Sequence, residues 1–108
     1  MTQEDKELLL KDLCARLPYR VKVQTPVMND EITLTCGDIS AYFFNPDNTV
    51  YPMPYLRPKS RIAELITAKE WSSLGGIDLI DWYNANHIDY RDLISLGLAL
   101  EAPEDMYK

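Results

Sequence analysis

Three prolines, Pro52, Pro54 and Pro58, stand between Tyr51 and Lys59 and restrict the fold more than any other stretch. Each removes a backbone donor and fixes its own φ, so the segment can form neither a helix interior nor a central strand. It is expected to be a sheet edge or a linker. It separates a first half that mixes one helical pattern with extended ones from a second half whose patterns are helical.

In the first half, Thr2 can cap a helix with Asp5 three residues on, and Leu9, Leu10, Leu13, Cys14 and Leu17 recur at helical spacing. The spacing predicts a helix from Gln3 to Leu17, ended by Pro18. The period then changes. Val21 and Val23 alternate with Arg20, Lys22 and Gln24, and Ile32 and Leu34 alternate with Thr33 and Thr35, which predicts strands with one wet face. Gly37-Asp38 and Asn45-Pro46-Asp47-Asn48 read as turns around the aromatic run Ala41-Tyr42-Phe43-Phe44, and Thr49-Val50-Tyr51 resumes an extended pattern. Beyond the prolines, Ser60 can cap a short helix bearing Ile62, Leu65 and Ile66, and Thr67 to Glu70 is a capping box ahead of Trp71 and Leu74, with Gly75-Gly76 as the stop. Asp78 and Asp89 can start two further helices, one with Ile80, Trp82 and Tyr83, the other with Leu93, Ile94 and Leu96 and a left-handed stop at Gly97. The expected fold is α+β in one domain over residues 1–108: an N-terminal helix, a three- to four-stranded antiparallel meander, then three to four short helices.

With 46% hydrophobic and 26% charged residues, the chain has enough apolar surface to fold alone. Its apolar runs are far too short to cross a bilayer, and the N-terminus lacks a signal peptide's basic and apolar regions, so a soluble cytoplasmic protein with no membrane partner is expected. Cys14 and Cys36 match neither a CxxC motif nor a zinc framework and read as buried free thiols. Charge is uneven. Residues 77–108 hold seven acids and two bases, against ten and nine in residues 1–76, and such concentration describes a surface and what it meets.

The opening MTQEDKELLLKDLCARLPY, the central PYLRPKS and the closing IDWYNANHIDYRDLISLGLALEAPEDMY resemble short uncharacterised proteins encoded by phages and prophages of gut Bacteroidota, over about half the chain. That family carries no assigned reaction, cofactor or partner. The resemblance implies a phage-type accessory protein in the bacterial host's cytoplasm, with a host or defence component as partner, and it implies that the loops between Gln24 and Asn48 are the adaptable part.

The side chains offer little catalytic chemistry. His87, the single histidine, could pair with Asp89 as a general base, and Cys36 is the one attractive nucleophile, but nothing in the sequence links the two. The reading preferred is a histidine at a helix C-terminus, held by the last carbonyls and the macrodipole. Asp78 with Asp81, and Asp89 with Asp92, share helix faces but form no calcium loop, and no phosphate-binding glycine motif is present, so neither metal nor cofactor is expected. Arg57, Lys59 and Arg61 would project from one face of an extended backbone, beside Tyr51 and Tyr55, as a small phosphate contact. Against nucleic acid stands an acidic chain of pI about 4.6; such cations otherwise form a solvated edge or dock on the acidic third. Adjacent helical residues point about 100° apart, so Trp82 and Tyr83 cannot both face the core centrally. Asp81, Trp82, Tyr83, Asp89 and Tyr90 are therefore the expected partner-binding face of a non-enzymatic protein.

Overall fold

The computed structural model describes residues 2–74 and 76–107, with side chains described at all of these except 76–78. The first helix, α1 (Gln3–Arg16), begins as its sequence dictates: Thr2 Oγ1 accepts from the Asp5 amide at 3.0 Å, and the Asp5 carboxylate accepts from the Thr2 amide. A 3-10 turn at Leu17–Tyr19 carries Pro18 and closes on Arg20 at φ 57°. The buried stripe of α1 is Leu9, Asp12, Leu13 and Arg16, so the helix is rotated from its most apolar face, and Cys14 is exposed. Cys36 is exposed too, which corrects the expectation of two buried thiols.

Strands β1 (Lys22–Gln24) and β2 (Glu31–Thr33) form an antiparallel hairpin with Val23 opposite Ile32. The aromatic run that follows is not a strand. Cys36–Phe43 forms a second helix, α2, because Thr35 Oγ1 accepts from the Asp38 amide and the Asp38 carboxylate accepts from the Thr35 amide at 2.9 Å, a capping box that turns the chain into a helix and buries Ile39 and Phe43.

Met53–Leu56 forms β3, an interior strand despite its proline, in a sheet of order β2-β1-β3-β4 with β4 at Leu100–Glu101. The expected edge or linker is thereby corrected. The two ladders are offset: β1 pairs with Met53 and Pro54, β4 with Tyr55 and Leu56, so Pro54 never needs a donor on both edges. Pro52, Pro54 and Leu56 all face inward with strand periodicity while Met53 and Tyr55 alternate at half burial. The β3–β4 pairing is parallel, so the sheet is mixed and not an antiparallel meander.

Lys59–Arg61 is a 3-10 turn without a side-chain cap, so Ser60 does not start the next helix; α3 (Ile62–Leu65) follows, then α4 (Ala68–Ser72), for which Thr67 and Glu70 form the expected capping box. Helix α5 spans Gly76–Ala85 and starts before Asp78, whose side chain, like Gly75, lies outside the described residues. Among the described residues no helix forms beyond it. Residues 90–97, expected as a helix started by Asp89, form turns instead, although Gly97 has the left-handed backbone expected of it, at φ 76°. One core unites Leu9 and Leu13 of α1, Val21 and Val23, Ile39 and Phe43 of α2, Leu56 of β3, and Leu93, Leu98 and Ala99.

The β1–β2 loop carries a local conflict. Its ends are tied by bonds from the Thr25 amide to the Asp30 carbonyl (2.8 Å) and from the Asn29 amide to the Thr25 carbonyl (3.0 Å), which force Val27 to φ 68°. A left-handed backbone is costly for a β-branched residue, and 83% exposure returns no packing. Val27→Asn, which tolerates this conformation, should raise the unfolding free energy by about 1 kcal/mol in urea melts; an unchanged or lower midpoint would refute the strain.

Candidate functional site

Two regions collect the chemistry-bearing residues. The first is a charged cluster under the C-terminal segment. Arg16 has no exposed side-chain surface; its Nε donates to Asp12 Oδ2 at 2.9 Å and its Nη2 to the Ile88 carbonyl. The other carboxylate oxygen of Asp12 accepts from Arg91 Nη1 at 2.7 Å. Tyr90 lies beneath both cations, with the Arg91 and Arg16 guanidinium carbons 4.5 and 5.3 Å from its ring centre. The i,i+4 spacing of Asp12 and Arg16 was visible in the sequence, but nothing local announced that both would be buried.

His87 lies beside this cluster with its ring stacked on Tyr107, centroids 3.7 Å apart, and its backbone at φ 58° just past α5. Burial, and then the positive charges of Arg16 and Arg57, push its pKa down to about 4. The ring is neutral at pH 7, so the expected attraction of a charged imidazole to the helix dipole is replaced by stacking. No hydrogen bond joins it to Cys36 or Asp89 among the described residues. Tyr107 fastens the tail to the sheet: its hydroxyl accepts from the Lys22 amide at 2.9 Å and donates to the Tyr55 carbonyl at 2.7 Å, and burial pushes its pKa up to about 12.

The basic residues do not line one extended face. Arg57 bridges Ile88, and its guanidinium donates to the Asn86 and Tyr107 carbonyls; Lys59 pairs with Asp92 at 3.0 Å; Arg61 donates to the Ala102 carbonyl and lies 3.6 Å from Glu101. All three turn toward the acidic third, the docking that the sequence set against a phosphate contact.

The second region is the arm from Lys59 to Ala85. Trp71 of α4 meets Trp82 edge-on at 5.7 Å and Tyr83 at 5.9 Å, and Tyr83 stacks on Tyr90 at 5.1 Å. Trp82 and Tyr83 are both half-buried around Trp71, so neither is fully in the core, in keeping with the expectation that they could not both face it centrally. Asp81 is exposed as expected, whereas Asp89 is corrected: 5% exposed, its oxygens accept from the Leu93 and Ile94 amides at 2.7 and 3.0 Å, so it fixes a turn and leaves the surface. Tyr90 is half-buried with its hydroxyl on Asn84 Oδ1. Beside the aromatic group lies a mainly apolar cavity of about 360 Å3 lined by Ile62, Ala63, Ile66, Ala68 and Trp71 with Lys59 and Ser60 at its polar end. These aliphatic residues were read from the sequence only as helix-packing positions.

Among the described residues no cluster of three or more metal-ligating side chains is found. No helix among them is long and apolar enough to cross a membrane. Compared with protein families, curated proteins and solved structures, the chain matches none.

Removing one partner from a buried ion pair leaves an uncompensated charge. Asp12→Ala should therefore cost about 3–5 kcal/mol in denaturant unfolding, whereas a loss under about 1 kcal/mol would mean that Arg16 finds other acceptors.

Since the folded state holds His87 neutral down to about pH 4 while an unfolded histidine takes a proton near its ordinary value of 6.5, the unfolded chain binds more protons across that window. Stability is complete above about pH 6.5 and falls as pH drops toward 4, by up to about 1.4 kcal/mol per pH unit. His87→Asn keeps a residue tolerant of positive φ and should flatten the stability profile between these values; the same slope in parent and variant would assign the acid sensitivity to other groups.

Proposed function

We propose that this protein is a non-enzymatic accessory protein that acts by binding a protein partner through the arm formed by α3, α4 and α5. The observation that carries the reading is the unfinished burial of that arm. Helices α3 and α4 bear Ile62, Leu65 and Trp71 yet bury no residue, Leu65 and Ile80 are 38% and 44% exposed, and the apolar cavity opens beside the Trp71–Trp82–Tyr83 group. Half-buried tryptophan and tyrosine beside an apolar hollow is the composition of an interface hot spot, where an inserted side chain is desolvated on all sides. Asp81, next to Trp82 in α5, supplies an exposed charge.

Binding is favoured over a Cys/His reaction because Tyr107 covers the His87 ring while Cys36 is exposed on α2 without a bond to it. It is favoured over a nucleic-acid contact because Lys59 pairs with Asp92, Arg61 lies 3.6 Å from Glu101 and Arg57 is tied to the Asn86 and Tyr107 carbonyls, so the three do not present one array to a phosphate backbone. The likeness of the chain's ends to phage and prophage proteins makes a component of the bacterial host the proposed partner class.

Affinity purification of tagged protein from expressing host cells tests this. A co-purifying protein should be lost or weakened at least about fivefold by Ile66→Asp and by Trp82→Ala, a loss of about 1 kcal/mol, in variants whose melting temperatures confirm folding. If the partner is retained by both folded variants, the arm is not the recognition surface.

A further inference from the structure

Distinct from the apolar hollow, Arg57 and Arg61 line a cleft of about 340 Å3 together with Glu64 and Leu65 of α3 and with Glu104. The Arg57 guanidinium is partly desolvated and touches only neutral acceptors, the Asn86 carbonyl at 3.1 Å and the Tyr107 carbonyl at 2.7 Å. No carboxylate among the described residues lies within the 4.0 Å of an ion pair with it. Burial lowers its pKa, Tyr107 partly offsets this, and Arg61 adds to the lowering. Arg61 is held by the Ala102 carbonyl at 2.9 Å and reaches Glu101 only at 3.6 Å.

A guanidinium has five N–H donors, so these carbonyl bonds fix both groups in place and leave donors for a ligand. Glu64 and Glu104 line the same cleft, are exposed, and make no ion pair with either arginine. The cleft thus carries both signs of charge without neutralising them internally. A phosphate would suit the guanidiniums but be repelled by two carboxylates, and a simple cation would meet the reverse conflict. A small molecule with one carboxylate and one ammonium satisfies both, with Leu65 beside its apolar portion.

We propose that this cleft binds a small zwitterion of the α-amino-acid class, its carboxylate on Arg57 and Arg61 and its ammonium on Glu64 and Glu104. The cleft takes Arg61, Glu64 and Leu65 from the same arm but shares no lining residue with the apolar hollow beside Trp71, and the proposal does not depend on that hollow binding a partner.

The experiment is an NMR titration that follows the arginine Nε–Hε signals, with L-leucine as probe and 3-methylbutyrate, 3-methylbutylamine and inorganic phosphate as single-charge and anionic controls. L-leucine should shift the Arg57 and Arg61 signals saturably at about millimolar concentration or tighter, and each control should bind about tenfold more weakly or not at all. Glu104→Gln, at an exposed position, should weaken L-leucine about tenfold without altering the melting temperature, and Arg61→Gln should abolish the response. The proposal is overturned if L-leucine produces no shift up to its solubility limit, if any control binds as well, or if Glu104→Gln binds L-leucine like the parent.

Discussion

A guanidinium taken out of water has to be met by acceptors on several sides, and the burial of Arg16 imposes that demand on the whole C-terminal segment. Asp12, one turn back in α1, satisfies Nε, but only a distant part of the chain can reach Nη2, and the carbonyl of Ile88 does so. Ile88 must then sit against α1, which brings Tyr90 under the guanidinium and Arg91 onto the free oxygen of Asp12. The carboxylate is shared between two cations, an arrangement that is strongly destabilised when one member is lost. Nη1 of Arg16 and Nδ1 of His87 have no protein partner among the described residues, so the cluster fixes the path of the chain at some cost to stability.

Once Ile88 is fixed, the rest of the tail follows. Its bridge to Arg57 extends the β3 direction, and after the turns of residues 90–97 the chain returns to pair with Tyr55 and Leu56 as β4. Tyr107 then reaches across to β1 and β3 through its hydroxyl, and its ring covers His87. Three acids of the C-terminal third are engaged within the molecule: Asp89 is buried and holds the turn at Leu93, while Asp92 and Glu101 meet Lys59 and Arg61 at the surface. An apparent surface charge excess is in part the complement of the basic cluster.

What could be read in the sequence was what short spacing decides. The capping boxes at Thr2 and Thr67, the α1 helix and the β1–β2 hairpin each depend on residues close in sequence, and each is present. The box at Thr35 and Asp38 has the same spacing, but Gly37 and the following aromatics resemble a turn and a strand, and the burial of Ile39 and Phe43 against α1 decides for the helix. Prolines argued against an interior β3 on the assumption that both edges need donors at every residue; the offset ladders remove that need. Asp12, Arg16 and Tyr107 escaped because their partners lie 72 to 85 residues away. Of the expected partner face, Asp81, Trp82 and Tyr83 keep access to solvent, whereas Asp89 does not, since a residue chosen as a helix cap was also counted as surface.

The contrast between the two halves of the structure bears on function. Around Arg16 and the sheet, polar groups and apolar side chains are closely matched, and the largest fully buried side chains are found there, from Leu9 to Leu93. The arm has good local signals, with capping at Thr67 and packed aromatic rings, yet α3 and α4 remain at the surface with their aliphatic residues around an open cavity. Short helices gain little from propensity alone and are held by the face they bury. Helices of four and five residues with no buried side chain are therefore the part of the molecule whose conformation a bound partner would stabilise most, because covering Ile66 and Trp71 would supply the apolar burial that the isolated chain does not.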